Sequence, residues 1–200
     1  MTQRRRHPPF FPSPEAAQGW VNAALRTALT RPGDAWQVGA LTYEATNAAP
    51  LSKTVVWRAW APKTATLTCY TDIRSQKWTA LAAKPQAALL LYCPVRAVQL
   101  CVQALAKLST GGEELLGLYA TLSEAQRHAY QSRETPGQPL VSVANDPPCK
   151  TLDPSLGARY FGKIDLVFCD VDFLSLHPKG HQRLQSACFQ DPASWRWLCP

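Results

Sequence analysis

The sequence predicts a mainly β (α+β) protein, a small antiparallel barrel of about seven or eight strands with peripheral helices. Runs rich in Val, Thr, Trp, Tyr and Leu alternate with turn residues along most of the chain. Of the 200 residues, 46% are hydrophobic and 18% are charged, which is enough apolar material for one core. The longest apolar run, 87–92, is far shorter than the roughly 20 residues of a membrane-spanning helix, so no membrane segment is expected.

The chain divides into a short tail and one domain. Residues 1–14 hold four prolines and the Arg4–Arg6 run, which predicts a disordered, basic, proline-rich tail. Residues 15–200 are predicted to form a single domain. The basic N-terminus has no apolar segment behind it, unlike a signal peptide, so we expect a cytoplasmic protein.

The order of helices and strands follows from the apolar spacing. Ser13 is predicted to cap a helix that ends near Arg31, because apolar residues recur at intervals of three and four between them. Helical spacing returns at 74–83 and twice between 115 and 130. The segment 135–160 holds five prolines and is predicted to be an extended loop. Strand-like runs occupy 36–46, 54–60, 65–71, 87–93, 97–108, 163–176, 181–189 and 195–198.

The cysteines and histidines do not form a metal motif. The seven cysteines include no CxxC pair, and the four histidines lack the spacing of metal ligands. Several cysteines lie inside apolar strand-like runs, where Cys behaves as a small hydrophobic residue. The sequence therefore predicts reduced thiols and no metal site.

Positive charge is concentrated in the middle of the chain. Residues 53–107 carry eight Lys and Arg and a single acid, Asp72. This surplus indicates an anionic partner: a nucleic acid, an acidic lipid or a phosphorylated small molecule. Four donor side chains stand together where a strand passes into a helix, at Thr71, Arg74, Ser75 and Lys77. Because a helix N-terminus binds anions, a single small phosphate fits this turn better than an extended nucleic acid.

Several short motifs in this order resemble one family. They are Val55-Val56-Trp57-Arg58, Cys69-Tyr70-Thr71-Asp72-Ile73-Arg74-Ser75-Gln76-Lys77, Lys84-Pro85-Gln86-Ala87-Ala88-Leu89 and Val98-Gln99-Leu100. The chain resembles the pyridoxamine 5'-phosphate oxidase-related FMN-binding split-barrel family, in its short cyanobacterial and plant-type branch. The likeness covers residues 15–200.

The resemblance implies a split β-barrel with peripheral helices and a homodimer with FMN in two clefts at the subunit interface. It implies Lys53 and Arg58 on the first strand that contacts FMN, Tyr70 and Thr71 beside the flavin and its ribityl chain, and Gln76 and Lys77 at the phosphate. Gln99 would hydrogen-bond the isoalloxazine ring, and Arg183 would reach FMN from the other subunit. From the residues themselves, Arg74 and Ser75 join this cofactor-binding set.

Two departures from the family pattern bear on activity. Gln76 stands where relatives usually have Arg, and the Arg-x-His pair and substrate-phosphate residues of true pyridoxamine phosphate oxidases are not reproduced. Turnover of vitamin B6 compounds is therefore not expected. The sequence favours an FMN-dependent oxidoreductase that transfers hydride from a small substrate to flavin N5, with no catalytic side chain assigned. A non-catalytic flavin-binding protein and a nucleic-acid-binding β-barrel remain open.

Overall fold

The computed structural model describes residues 8–45, 49–139 and 153–200. Its centre is one antiparallel sheet of eight strands. The strands are β1 (Val38–Glu44), β2 (Pro50–Ala61), β3 (Thr66–Asp72), β4 (Gln86–Cys93), β5 (Val98–Thr110), β6 (Phe161–Ser175), β7 (Gln182–Ser186) and β8 (Arg196–Leu198). The helices are α1 (Pro14–Thr30), α2 (Gln76–Ala83), α3 (Gly112–Ala120), α4 (Glu124–His128) and α5 (Pro154–Tyr160). The predicted mainly β fold with peripheral helices is confirmed.

Pairing of β3 with β6 closes six strands into a barrel. The sheet order is β3-β2-β1-β4-β5-β6-β7-β8, and an additional ladder joins β3, at one end of the sheet, to β6, the sixth strand in this order. On one edge, β6 pairs with β5 along almost its whole length. On the other edge, its first half pairs with β3 and its second half with β7. The first half of β6 therefore belongs to the closed barrel, and its second half extends beyond the closure to pair with β7. A barrel that opens in this way is a split barrel.

The core forms because the strands alternate buried and exposed residues. Along β4 every second side chain is buried, at Ala87, Leu89, Leu91 and Cys93, as the two-residue period of a strand requires. The indole of Trp57 and the ring of Phe173 fill the interior, and both residues are almost fully buried. A second cluster, around Phe161 and Tyr130, lies beneath the helices that follow β5.

Helix α1 has the predicted position and cap. The Ser13 hydroxyl accepts a hydrogen bond from the backbone amide of Ala16, and Pro14 occupies the first helical position, where its missing amide costs no hydrogen bond. The buried face of α1 includes Val21 and Leu25. Among the described residues, no helix is both long and apolar enough to span a bilayer.

Part of the predicted tail is packed against the barrel. Phe11 is 5% exposed, and its ring lies 5.7 Å from that of Phe173. The backbone of Phe11 exchanges two hydrogen bonds with the Gln182 side chain, and Ser175 donates to the carbonyl of Pro9. Residues 8–14 therefore pack partly against the barrel, because an aromatic side chain close before α1 reaches the core, although Phe10 and Pro12 are exposed. The Arg4–Arg6 run lies outside the described residues.

The predicted loop 135–160 ends in a helix. Residues 154–160 form α5, whereas 140–152 lie outside the described residues. The prediction of an extended loop over 154–160 was wrong because proline was interpreted as a loop signal, although it is tolerated in the first turn of a helix. The backbone of Gly157 lies against the ring of Tyr119, so this helix is held by contacts distant in sequence.

Candidate functional site

The turn between β3 and α2 leaves the start of the helix open. Ser75 is the N-cap residue of α2, but its side chain makes no capping hydrogen bond. Its hydroxyl instead lies 3.2 Å from the Thr71 hydroxyl. The first amides of a helix have no partner within the helix. The N-terminus of α2 therefore presents unpaired backbone donors and the positive end of the helix dipole.

Lys77 adds a cation to this turn. Its Nζ donates to Thr71 Oγ1 at 2.6 Å, and in the described part of the chain it makes no ion pair with a carboxylate. Burial lowers the pKa of Lys77, and the charge of Lys53 lowers it further. A partly buried ammonium whose hydrogen bond goes to a neutral hydroxyl attracts an anion, although the nearby Asp72 carboxylate offsets part of its charge. We call Thr71, Ser75, Lys77 and the first turn of α2 the α2 cradle.

Arg58 and Tyr70 lie on the outer side of the barrel wall beside the α2 cradle. A β-bulge between Trp57 and Ala59 places Arg58, which is exposed, at an irregular position of β2. Tyr70 is half-buried, and its ring centroid lies 5.0 Å from that of Phe161. Burial raises the pKa of Tyr70, and the cationic side chains of Arg58 and Lys163 oppose that rise. The charge of Lys53, on β2, acts on the Lys77 ammonium, so Lys53 also lies near the end of β3 that carries the cradle.

Arg74 does not join the α2 cradle. Its guanidinium pairs with Asp72 at 2.6 Å and donates to the backbone carbonyls of Ser132 and Arg133, so most of its N–H donors are already used. The structure therefore does not support the interpretation of Arg74 as a phosphate contact. Gln76, the other residue of the predicted phosphate pair, is exposed at the first position of α2.

Gln99 and Arg183 lie at the other end of the barrel. Both face Leu174 in the register of β6, whereas Thr71 faces Gly162. The twelve residues between these two positions correspond to about 40 Å of strand. Within one chain the structure therefore separates the predicted site residues into two groups.

Gln99 and Arg183 line a surface cavity of about 450 Å³, together with Cys101 and Asp172. The Gln99 amide lies 3.4 Å from the Cys101 sulfur, and Arg183 pairs with Asp172 at 2.7 Å. Burial raises the pKa of the Cys101 thiol, and the Asp172 carboxylate adds to the rise. We call this group the β5–β7 patch.

An apolar face borders the β5–β7 patch. An adjoining cavity of about 650 Å³ is lined mainly by small and apolar side chains of β1, β4 and β5. Leu90, Tyr92 and Leu105, on β4 and β5, are 41%, 47% and 43% exposed. Clustered exposed apolar side chains on one sheet face mark a surface that binds another macromolecule.

Sequence reasoning missed two features that hold the α2 cradle. Gly162 faces Thr71 across the β3–β6 ladder, and a Cβ there would lie 2.6 Å from both Ile73 and Trp78, so only glycine lets α2 pack so closely on β6. The second feature is the Asp72–Arg74 pair. The sequence does indicate this pair, because Asp72 is the one acid in the basic stretch 53–107.

The sequence of the barrel matches a known family. A sequence model described as "Pyridoxamine 5'-phosphate oxidase, FMN-binding domain" matches residues 18–109, from α1 to the end of β5. Over these residues, a little under half of the chain, the sequence is similar to the FMN-binding family that its motifs predicted. FMN is the cofactor of the matched domain. No protein with curated annotation matches the chain.

Solved structures share the fold. A pyridoxamine 5'-phosphate oxidase-related, FMN-binding protein from Nostoc punctiforme has a TM-score of 0.71 and 22% identity, with 91% of this chain and 96% of that chain covered. PhzG from Burkholderia lata, in complex with tetrahydrophenazine-1-carboxylic acid, has a TM-score of 0.71 and 18% identity, with 96% and 98% covered. At these identities the likeness establishes the split barrel and not the reaction.

The residues of the α2 cradle fit the phosphate of FMN. A phosphate monoester is nearly a dianion and takes charge-assisted hydrogen bonds from ammonium, hydroxyl and backbone N–H donors. Lys77, Ser75 and the open N-terminus of α2 supply these three kinds of donor.

The phenol of Tyr130 and the thiol of Cys69, both near Arg58, have their pKa raised by burial to about 12. Neither group exchanges a proton readily near neutral pH.

Proposed function

We propose that this protein is an FMN-dependent oxidoreductase that acts on a small-molecule substrate as a homodimer. The observation that carries the proposal is Lys77, a partly buried cation that donates to a hydroxyl and pairs with no carboxylate among the described residues, at the open N-terminus of α2. Desolvating an ammonium is costly unless an anion compensates. The phosphate of the family's cofactor is an anion of the right charge for this place.

Two copies of the chain are needed to bring the site residues together. The α2 cradle and the β5–β7 patch lie at opposite ends of β6, so one chain cannot use both on one FMN. A second copy docked through the apolar face of Leu90, Tyr92 and Leu105 would present its Gln99 and Arg183 to the first copy's cradle. Burial of exposed leucine and tyrosine side chains stabilises such an interface.

Each side chain then has a binding role. Lys77, Ser75 and Thr71 hold the phosphate, and Lys53 and Arg58 add positive potential around it. Tyr70 lies beside the flavin and its ribityl chain, and the Gln99 amide donates a hydrogen bond to the polar edge of the ring. Bound FMN would supply the redox chemistry, a hydride transfer from the substrate followed by reoxidation by oxygen or another acceptor. The protein's part is to orient the ring and exclude water.

The distribution of charge argues against nucleic acid as the partner. Three of the eight cations in 53–107 are paired with carboxylates, Arg74 with Asp72, Lys84 with Glu44 and Arg96 with Asp34. A surface that follows a nucleic acid backbone needs unpaired cations along one face. We also propose a cytoplasmic location, because the described cysteines are free thiols.

The absorption spectrum of the purified protein tests the proposal. We expect a yellow protein that releases FMN on denaturation, as identified by mass, and that sediments as a dimer. A stable yellow protein that no reductant turns over would leave only a flavin-binding role. A colourless protein that binds oligonucleotides in a salt-sensitive manner would overturn the proposal in favour of the nucleic-acid-binding barrel.

Pyridoxamine 5'-phosphate should be a poor substrate. The residues that hold the substrate phosphate in true pyridoxamine phosphate oxidases have no counterpart in this sequence, so we expect negligible formation of pyridoxal phosphate by the FMN-loaded protein. Pyridoxal phosphate can be followed by its absorbance, with an authentic oxidase as positive control. Rapid turnover at micromolar substrate would show that this expectation is wrong.

A further inference from the structure

Asp72 and Arg74 form a close pair at the turn before α2. The Asp72 carboxylate accepts from the backbone amide of Arg74 at 2.8 Å, from Nε at 3.0 Å and from Nη2 at 2.6 Å. Asp72 is 6% exposed and the Arg74 side chain 15%. A largely buried, multiply bonded pair of this kind fixes the rotamers of both residues.

Arg74 also ties this turn to two distant segments. Its Nη2 donates to the carbonyl of Ser132 at 3.0 Å, and its Nη1 donates to that of Arg133 at 3.2 Å. Its guanidinium carbon lies 3.7 Å from the centroid of the Tyr160 ring, at the end of α5. One side chain therefore joins the β3–α2 turn, the segment after α4 and the last residue of α5.

The same turn determines where the α2 cradle lies. The amide of Ile73 donates to the carbonyl of Tyr160 at 3.0 Å, and the amide of Ser75 donates to that of Asp72 at 3.0 Å. Thr71 precedes this turn, whereas Ser75 and Lys77 follow it. Any change in the path of residues 72–74 would therefore move the Ser75 hydroxyl and the Lys77 ammonium relative to Thr71.

We propose that Arg74 is a positioning residue for the phosphate end of the cofactor site, acting through Ser75 and Lys77 and not by contact with the phosphate. The proposal rests on the proposed FMN site. Arg74 spends four of its N–H donors on Asp72, Ser132 and Arg133, and an arginine has only five. Its charge is compensated by Asp72, so it has little left to offer a phosphate.

Binding of FMN and riboflavin to a double-mutant cycle tests this role. Arg74→Gln should weaken FMN binding by about 10-fold, and riboflavin binding by less than about twofold, because only FMN uses the cradle. In the Lys77→Ala background, Arg74→Gln should cost less than about a further threefold, because a residue that acts through Lys77 is coupled to it. If the double variant lost FMN affinity by the product of the two single-variant factors, Arg74 would be a separate phosphate contact, and the proposal would be overturned.

Two further variants separate positioning from charge and from general stability. Arg74→Lys keeps the charge but cannot span three partners, so it should lose FMN affinity about as much as Arg74→Gln. Recovery of FMN affinity in Arg74→Lys would contradict the proposal.

Arg96→Gln is the matched control, since Arg96 also pairs with a buried carboxylate, Asp34, and contacts an aromatic ring, Trp36, far from α2. It should lower the unfolding temperature without changing FMN affinity. If Arg74→Gln reduced the affinity for FMN and for riboflavin equally, the positioning role of Arg74 would be overturned but the proposed FMN site would stand. If the wild-type protein bound no flavin, the proposed FMN site would be overturned as well.

Discussion

Replacing Lys77 with alanine is expected to weaken FMN binding by about 30-fold or more and to leave riboflavin binding nearly unchanged. Lys77 provides the partly buried ammonium of the α2 cradle. Removal of one partner of a desolvated charge pair costs roughly 2–5 kcal/mol, because the other charge is left underpaired. Riboflavin has no phosphate and does not depend on this pair. Fluorescence titration of both flavins gives the two dissociation constants.

Lys107→Ala is the matched control for charge. Lys107 is an exposed residue of β5 that faces Asp165 on β6, two strands away from Thr71 on β3, and its removal lowers the net charge by the same amount. We expect little change with either flavin. Equal losses of FMN and riboflavin affinity at Lys77, or equal losses of FMN affinity at both lysines, would refute the assignment of the phosphate site.

The lowered pKa of Lys77 predicts how the free energy of unfolding depends on pH. Burial lowers this pKa below the ordinary lysine value of 10.5, so the unfolded chain holds the proton more tightly than the folded protein. The destabilisation is fully present at neutral pH and fades as the pH rises through the lowered pKa. Without flavin, Lys77→Met should therefore unfold no more readily than wild type at pH 7, which separates lost affinity from lost stability.

A glutamate at Leu105 is expected to break the dimer and to reduce FMN binding by at least about 100-fold. Leu105 lies on the apolar face beside the β5–β7 patch and is 43% exposed in the single chain. A charge there would be buried without a partner in a dimer, at a cost of several kcal/mol. The monomer keeps its own α2 cradle but loses the Gln99 and Arg183 of the second copy. Sedimentation and flavin titration measure the two losses.

Leu116→Glu is the matched control for that substitution. Leu116 lies on α3, away from this sheet face, and is 52% exposed. It should change neither the sedimentation coefficient nor FMN affinity. A Leu105→Glu monomer that binds FMN stoichiometrically with wild-type affinity would contradict the view that two chains build each site.

Features local in sequence could be predicted without the structure. The cap at Ser13, the alternation of buried residues along β4 and the grouping of Thr71, Ser75 and Lys77 all depend on residues within a few positions of one another. Strand and helix periods, and the open amides of a helix N-terminus, follow from backbone geometry that every chain shares. The end of a barrel strand and the start of the helix after it were therefore predictable from residues close together in the sequence.

How residues distant in sequence come together depends on the packing of the whole barrel. Arg74 is close in sequence to Lys77, yet Asp72, Tyr160 and the carbonyls of 132–133 turn it away from the α2 cradle. Gln99 and Thr71 belong to one predicted site but lie at opposite ends of β6, because each is placed by its register on that strand. Register and long-range ion pairs depend on the packing of the whole barrel, and no local pattern of residues encodes them.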